Sequence, residues 1–216
     1  EYGLNDAISV EKIWYEARNG KLVTHITTYE MSILVSEKLI WKQVENINGA
    51  SRLVTYTEIY EFGLKEATAL QKAYKTIEEG RLVTIIQNYE LFLSSTEAVT
   101  TQKIYYDRAK VADGTTRLVK VVENFEYGIK DATLIQHIYY DKRKTEDGFI
   151  RTVQVVENTI SIGGVNYIES VQYFYYKIDR VITDLSNHET KKERVVLVTE
   201  TLEGDFSSGV DSALVI

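Results

Sequence analysis

One phrase recurs along the chain and constrains its fold more than any other feature. It consists of a basic residue, a mainly apolar run with valine at its third position, then in most copies an aromatic ring and a glutamate. The six copies open at Lys21, Arg52, Arg81, Arg117, Arg151 and Arg194, and the valines are Val23, Val54, Val83, Val119, Val153 and Val196. Self-similarity at this spacing is typical of repeat proteins, in which each copy is one supersecondary element.

Each copy reads as a β-hairpin. The phrase itself is the second strand, about ten residues of period-2 structure, and an aromatic-bearing strand precedes it. Turn dipeptides separate the two strands at Asn19-Gly20, Asn48-Gly49, Glu79-Gly80, Asp113-Gly114, Asp147-Gly148 and, without glycine, Ser186-Asn187. Asn-Gly and Asp-Gly between alternating runs are the strongest short-range hairpin signal. Six hairpins predict about twelve strands.

The composition favours an all-β protein. The chain has 16 tyrosines and no proline among its 216 residues, and tyrosine suits a pleated sheet whereas proline is excluded from central strands. Both faces of the strands look apolar in the middle and charged toward the ends, which argues against two cleanly segregated sheets. We therefore predict an antiparallel meander in one extended or curved sheet, with a β-sandwich as the second choice.

The connections between hairpins alternate in kind. Odd copies open on a glycine link, as in Gly63-Leu64-Lys65-Glu66-Ala67, whereas even copies open on apolar links without glycine, as in Met31-Ser32-Ile33-Leu34-Val35. This alternation predicts hairpin pairs at 1–61, 62–126 and 127–203 within a single domain of residues 1–203. Residues 204–216 form a C-terminal tail that repeats the odd-type link and ends on an apolar, strand-like run.

Charge and composition restrict the classes of partner. A net charge of −7 without basic clusters argues against nucleic acid, and no apolar run approaches the roughly 20 residues of a membrane helix. Absence of cysteine excludes disulfide and thiolate metal sites. The first residue, Glu1, is what an exported protein would show after signal-peptide removal, so we expect an extracellular or cell-surface location.

The sequence predicts neither an enzyme nor a cofactor. Its three histidines, His25, His137 and His188, occupy different repeat positions, and no nucleophile motif accompanies them. Four glutamates share one strand column, at Glu58, Glu123, Glu157 and Glu200. A catalytic residue would be expected in one copy only, whereas a structural residue recurs from copy to copy. We therefore interpret this column as structural, either in salt bridges with the lysine and arginine column or as solvated side chains.

Aromatic residues form a second column, one per hairpin, at Trp14, Trp41, Tyr74, Tyr105, Tyr139 and Tyr175. Rings at one register of successive hairpins stack into a buried or intersubunit ladder. The alternative is a stacking platform for glycans, which would make the protein a monomeric adhesin or carbohydrate-binding module.

In its hairpin repeats, abundant β-branched residues and tyrosine, and lack of cysteine, the chain resembles exported β-repeat proteins of sheaths and surface fibres, such as the tubular sheath proteins of methanogenic archaea. The resemblance implies a structural subunit that polymerises with itself through sheet edges into a sheath, surface layer or filament. The two ends match in repeat phase, which suggests end-to-end strand pairing. The predicted interface is Glu1, Tyr2, Gly3, Leu4, Gly209, Val210, Ala213, Leu214, Val215 and Ile216.

Overall fold

A computed structural model describes residues 9–31, 33–61, 64–91, 97–144, 148–162, 165–184, 189–203 and 214–215. Its first seven strands are β1 (Ser9–Arg18), β2 (Lys21–Glu30), β3 (Ile33–Ile47), β4 (Ala50–Glu61), β5 (Ala69–Glu78), β6 (Arg81–Glu90) and β7 (Thr100–Lys110). The remaining six are β8 (Thr116–Glu126), β9 (Leu134–Lys144), β10 (Ile150–Ile162), β11 (Val165–Asp184), β12 (Glu189–Glu203) and the two-residue β13 (Leu214–Val215).

The strands follow one another in the sheet in chain order, β1 to β13, as an open antiparallel meander. No α-helix occurs in the part of the chain that the structure describes. The predicted all-β meander is therefore confirmed, and the six predicted hairpins account for β1 to β12. The thirteenth strand comes from the C-terminal tail.

Contacts group the chain into two compact units. Unit 1 comprises Glu1–Ile104 and Asn124–Lys130, and unit 2 comprises Tyr105–Glu123 and Asp131–Ile216. The division into hairpin pairs 1–61, 62–126 and 127–203 stays a prediction.

Three of the predicted hairpin turns are two-residue turns of type I′. In each, both central residues have positive φ: 51° and 72° at Asn19-Gly20, 52° and 80° at Asn48-Gly49, and 51° and 78° at Glu79-Gly80. The twist of this turn matches that of the flanking strands. The fourth turn is longer, because β7 ends at Lys110 and β8 starts at Thr116. Asp147 and the Ser186-Asn187 turn lie outside the described residues.

Two of the odd-type links carry the same backbone hydrogen bond in their described residues. Leu64 N donates to Glu61 O and Ile129 N donates to Glu126 O, both at 3.1 Å. The first even-type link is shorter than expected, since Ile33 already belongs to β3. A β-bulge beside Tyr29 shifts the register there and allows pairing to resume at once.

The valine column forms the core of the strands that carry it. Val23, Val54, Val83, Val119 and Val153 are each at most 5% exposed. The residue before each of the first four valines is a leucine on the opposite face, and Leu22, Leu53, Leu82 and Leu118 are all exposed. At this end of the strands burial therefore alternates, with the valine side buried and the leucine side exposed although both carry apolar residues. We call the two sides the valine face and the leucine face.

Large side chains cover the valine face in unit 2. Its core joins Val119, Val121, Val153, Val155 and Val171 with Tyr139 and Tyr173. The guanidinium of Arg143 lies 3.8 Å from the centre of the Tyr173 ring, and that of Arg117 lies 5.3 Å from the Tyr139 ring. Val111, from the long β7–β8 turn, packs into the same core. Rings, arginine stems and a turn thus replace the second layer of a sandwich.

Candidate functional site

A cavity of about 320 Å³ opens on the valine face of unit 1. Val23, Leu39 and Trp41 form its apolar part, from β2 and β3. Arg18, Asn19 and Lys21, at the β1–β2 turn, line one side. Glu58 and Tyr60 of β4 line it as well. The cavity therefore combines an indole with both signs of charge.

Glu58 and Tyr60 are coupled by a hydrogen bond. The Tyr60 hydroxyl donates to Glu58 Oε2 at 2.8 Å. Burial and this neighbouring carboxylate raise the pKa of Tyr60 to about 12, although the nearby charge of Arg18 opposes the rise. Tyr60 therefore stays a protonated donor at neutral pH and orients the Glu58 carboxylate.

The residues of the predicted aromatic column differ in their exposure to solvent. Tyr74 and Tyr139 are buried, at 9% and 7% exposed, so their ring faces are closed to a sugar. Trp41 is half-buried and stacks on Tyr56, with ring centroids 5.2 Å apart and planes 5° apart. Trp14 is 41% exposed and stacks on His25 at 4.9 Å. The side chain of Tyr175 lies outside the described residues.

Among the described residues, the glutamate column forms no ion-pair rungs with the lysines and arginines of the basic column, and the other possibility, solvated side chains, does not hold at Glu157, which is buried. The column's partners are tyrosine hydroxyls: Tyr60 donates to Glu58, Tyr105 to Glu123 at 2.8 Å, and Tyr139 to Glu157 at 2.7 Å. The basic column instead meets other acids, as where Arg117 binds Asp113 and Asp141 at 2.6 and 2.9 Å. The salt-bridge interpretation of the column is therefore wrong for these three glutamates, and the side chain of Glu200 lies outside the described residues.

Glu157 is the most deeply buried acid of unit 2 among the described residues, at 1% exposed. Its Oε1 accepts from Tyr139 Oη and, at 2.8 Å, from Ala112 N in the β7–β8 turn. Burial raises the pKa of Glu157, and these two hydrogen bonds offset only part of the rise. His137 Nδ1 lies 4.0 Å from Glu157 Oε2, and burial lowers the pKa of His137. A residue this enclosed is a structural tie rather than a group that meets a substrate.

His25 lies between two carboxylates on the valine face of unit 1. Its Nδ1 is 2.9 Å from Glu37 Oε1, and its Nε2 is 3.2 Å from Glu16 Oε1. Burial lowers the pKa of His25, but hydrogen bonds and charges from Glu37 and Glu16 outweigh burial, so the pKa lies above its ordinary value. His188 lies outside the described residues.

The leucine face carries a polar feature that the sequence analysis missed. Gln71 Nε2 donates to Asn88 Oδ1, and Asn88 Nδ2 donates to Thr100 Oγ1, both at 2.9 Å. The same triad recurs as Gln136, Asn158 and Ser170, again with 2.9 Å bonds, and Gln102 donates to Asn124 at 2.8 Å. The signal was present in the sequence as glutamine three positions before the column aromatic and asparagine seven after the basic residue.

Most of the predicted assembly interface lies outside the described residues: Glu1, Tyr2, Gly3, Leu4, Gly209, Val210, Ala213 and Ile216. The other two residues, Leu214 and Val215, pair with Glu203 and Leu202 of β12 in the same chain. At the other end of the sheet, β1 has β2 as its neighbour within the described part of the chain. On β1, Ile13 and Tyr15 are 57% and 66% exposed.

Within the described residues, no group of three or more histidines or acids is placed to hold a metal ion. No helix of sufficient length and apolarity to cross a membrane was found among them either. The fold defines the class: an open antiparallel β-meander of repeated hairpins. The chain matches no protein-family model, no curated protein and no solved structure.

Proposed function

We propose that the protein is a structural subunit that self-assembles through the edges of its β-sheet into an extracellular sheath, surface layer or filament. The observation that carries the proposal is β1, a ten-residue strand with β2 as its neighbour among the described residues and with large apolar side chains exposed. An edge of this length presents a row of backbone donors and acceptors that invites another strand.

The far end of the sheet offers a partner for β1. Among the described residues, β13 pairs with two of the fifteen residues of β12, and in this part of the chain the rest of that strand's outer edge is open to a second copy. A contact between β1 of one copy and β12 of the next is heterologous, so it yields a ring where the rotation closes and a filament or tube where it does not.

The leucine face supports assembly independently. Leu53 lies opposite Val44, and Leu82 lies opposite Ile77; all four side chains are exposed by more than half. Exposed aliphatic pairs that recur from hairpin to hairpin form a patch of the kind that marks protein contacts.

The hydrogen-bond pattern of β1 allows a specific test. Because Arg18 and Lys21 flank a two-residue type I′ turn, they form a hydrogen-bonded pair, and such pairs alternate along the hairpin. The backbone N–H of Ile13 therefore points away from β2. Ile13→Pro removes an outward donor without removing a β1–β2 hydrogen bond, and proline is tolerated on edge strands. Ile13→Ala, which keeps the N–H, is the matched control.

We expect wild type and Ile13→Ala to form particles much larger than the 24.8 kDa subunit by light scattering and electron microscopy. Ile13→Pro is expected to remain monomeric with an unchanged circular dichroism spectrum. A wild-type protein that stays monomeric at high concentration would contradict self-assembly, and normal assembly of Ile13→Pro would exclude β1 as the edge. The extracellular setting rests on the resemblance to sheath proteins, and antibody labelling of intact cells tests it.

A further inference from the structure

The cavity of unit 1 offers side-chain groups for a small ligand, whereas the sheet edge offers backbone groups for another strand. Its volume of about 320 Å³ is at the lower end of small-molecule sites, which run from about 300 to 1,000 Å³. It is large enough for a small ring and its substituents, and the Trp41 indole forms one of its walls.

That wall is held in place by its neighbour. Tyr56 lies parallel to the Trp41 indole, so one ring face is covered while the indole still lines the cavity. The apolar C–H face of a pyranose packs well on such a fixed aromatic surface. Leu39 and Val23 extend the apolar surface beneath it.

The two cations at the β1–β2 turn, Lys21 and Arg18, differ in whether they already have a hydrogen-bond partner. Lys21 Nζ donates to Gln43 Oε1 at 2.5 Å, which holds this ammonium. The Arg18 guanidinium has no hydrogen-bond acceptor among the described residues, although it lines the cavity. A guanidinium is well suited to bind a carboxylate with two parallel hydrogen bonds.

The acid on β4 complements these donors. Glu58 Oε2 accepts from Tyr60, so Glu58 Oε1 is left to accept from a ligand hydroxyl. The cavity thus offers an aromatic wall, a cation for a carboxylate and an oriented carboxylate for hydroxyls.

We infer that this cavity binds a hexuronic acid residue of an acidic polysaccharide, with the pyranose on Trp41, its carboxylate on Arg18 and a ring hydroxyl on Glu58. Binding at this place needs no assembly of the sheet, so the two proposals stand or fall separately.

The chain has two tryptophans, so Trp14→Phe makes Trp41 the sole indole reporter. Titration of this variant with a galacturonic acid trimer is expected to change the Trp41 fluorescence to saturation. The matching neutral galactose trimer is expected to bind roughly tenfold more weakly or less, because it lacks the charge-assisted contact.

Arg18→Gln is expected to abolish the preference for the acid trimer, whereas Arg108→Gln, on an exposed position of β7, leaves it unchanged. Calorimetry with Trp41→Ala is expected to detect no binding.

Equal affinity for both trimers would overturn the carboxylate assignment, and so would an Arg18→Gln variant that keeps the wild-type preference for the acid trimer. Absence of binding to either trimer, or unimpaired binding by Trp41→Ala, would overturn the site. Because Arg18 flanks a surface turn, its variant tests the proposal even where Trp41→Ala fails to fold.

Discussion

The Tyr139 hydroxyl donates a 2.7 Å hydrogen bond to a carboxylate, that of Glu157, which is 1% exposed. The same oxygen accepts from Ala112 N, 45 residues away in the chain. This acid therefore ties the β7–β8 turn to the face of β10, and its charge is costly where it stands.

Replacing Glu157 by glutamine is expected to stabilise the protein once the pH exceeds the raised folded-state pKa of Glu157. Because the folded-state pKa of Glu157 is raised, the wild type loses stability as pH rises through that pKa, whereas a neutral amide does not. The amide oxygen still accepts from Tyr139 and Ala112. The free energy of unfolding in urea should therefore favour Glu157→Gln by a margin that grows with pH.

Glu157→Leu is the control, since it leaves two buried donors unsatisfied. It should destabilise the protein by about 2 kcal/mol or more. An advantage of Glu157→Gln that stayed constant or shrank as the pH rose from the ordinary glutamate pKa through the raised folded-state pKa would contradict the assignment.

His25 should make stability depend on pH in the physiological range. Its folded-state pKa is raised, so its contribution is fully present below the unfolded pKa of about 6.5 and is lost as pH rises through the folded pKa. The difference in unfolding free energy between wild type and His25→Gln should therefore shrink as the pH increases.

His137 provides an internal comparison of opposite sign. Burial lowers its pKa, so the difference between wild type and His137→Gln should grow as the pH increases. If both differences followed pH in the same direction, one of the two environments would be wrongly assigned.

The first hairpin pair lacks the polar triad but has the register for it. Glu11 lies opposite Thr28, and Thr28 lies opposite Ser36, which matches Gln71, Asn88 and Thr100. The double change Glu11→Gln with Thr28→Asn should install the triad and raise the unfolding free energy by about 1 kcal/mol. Adding Ser36→Ala should remove part of the gain. A double variant no more stable than the sum of its single changes would argue against a cooperative triad.

Glu79 has φ +51° at the first position of its type I′ turn, where the equivalent turns have asparagine. Glutamate is strained there, so Glu79→Asn should stabilise the β5–β6 hairpin by about 0.5 to 1 kcal/mol in thermal unfolding.

Gly80→Ala should have the opposite effect. The space around Gly80 is open and its φ is +78°, so backbone strain alone would account for a loss of about 1 kcal/mol. An unchanged melting temperature for both variants would mean that this turn does not contribute to stability.

The hairpins could be predicted because their signals are local. Asn19-Gly20 and Asn48-Gly49 specify type I′ turns in two residues, and the valine column specifies the buried parity by its period. The position of Glu157 could not be predicted, since it depends on a turn contributed from 45 residues away. Glu58 and Glu123 occupy the same column of the repeat as Glu157, but the residues that pack around them are different.

The cavity at Trp41 was not predicted from the sequence. The aromatic column suggested stacking, but Arg18 and Glu58 lie on strands that are not adjacent, so the sequence period does not bring them together. The triads were missed for a related reason: an amide on one strand finds its partners only once the register of three strands is known.

Both closed triads draw their glutamine and asparagine from an odd hairpin and their hydroxyl from the even hairpin that follows. Asn88 and Asn158 each find their hydroxyl acceptor only on the hairpin that follows, at Thr100 and Ser170. Each closed triad therefore fastens one hairpin to the next through side chains, in addition to the backbone ladder between the strands.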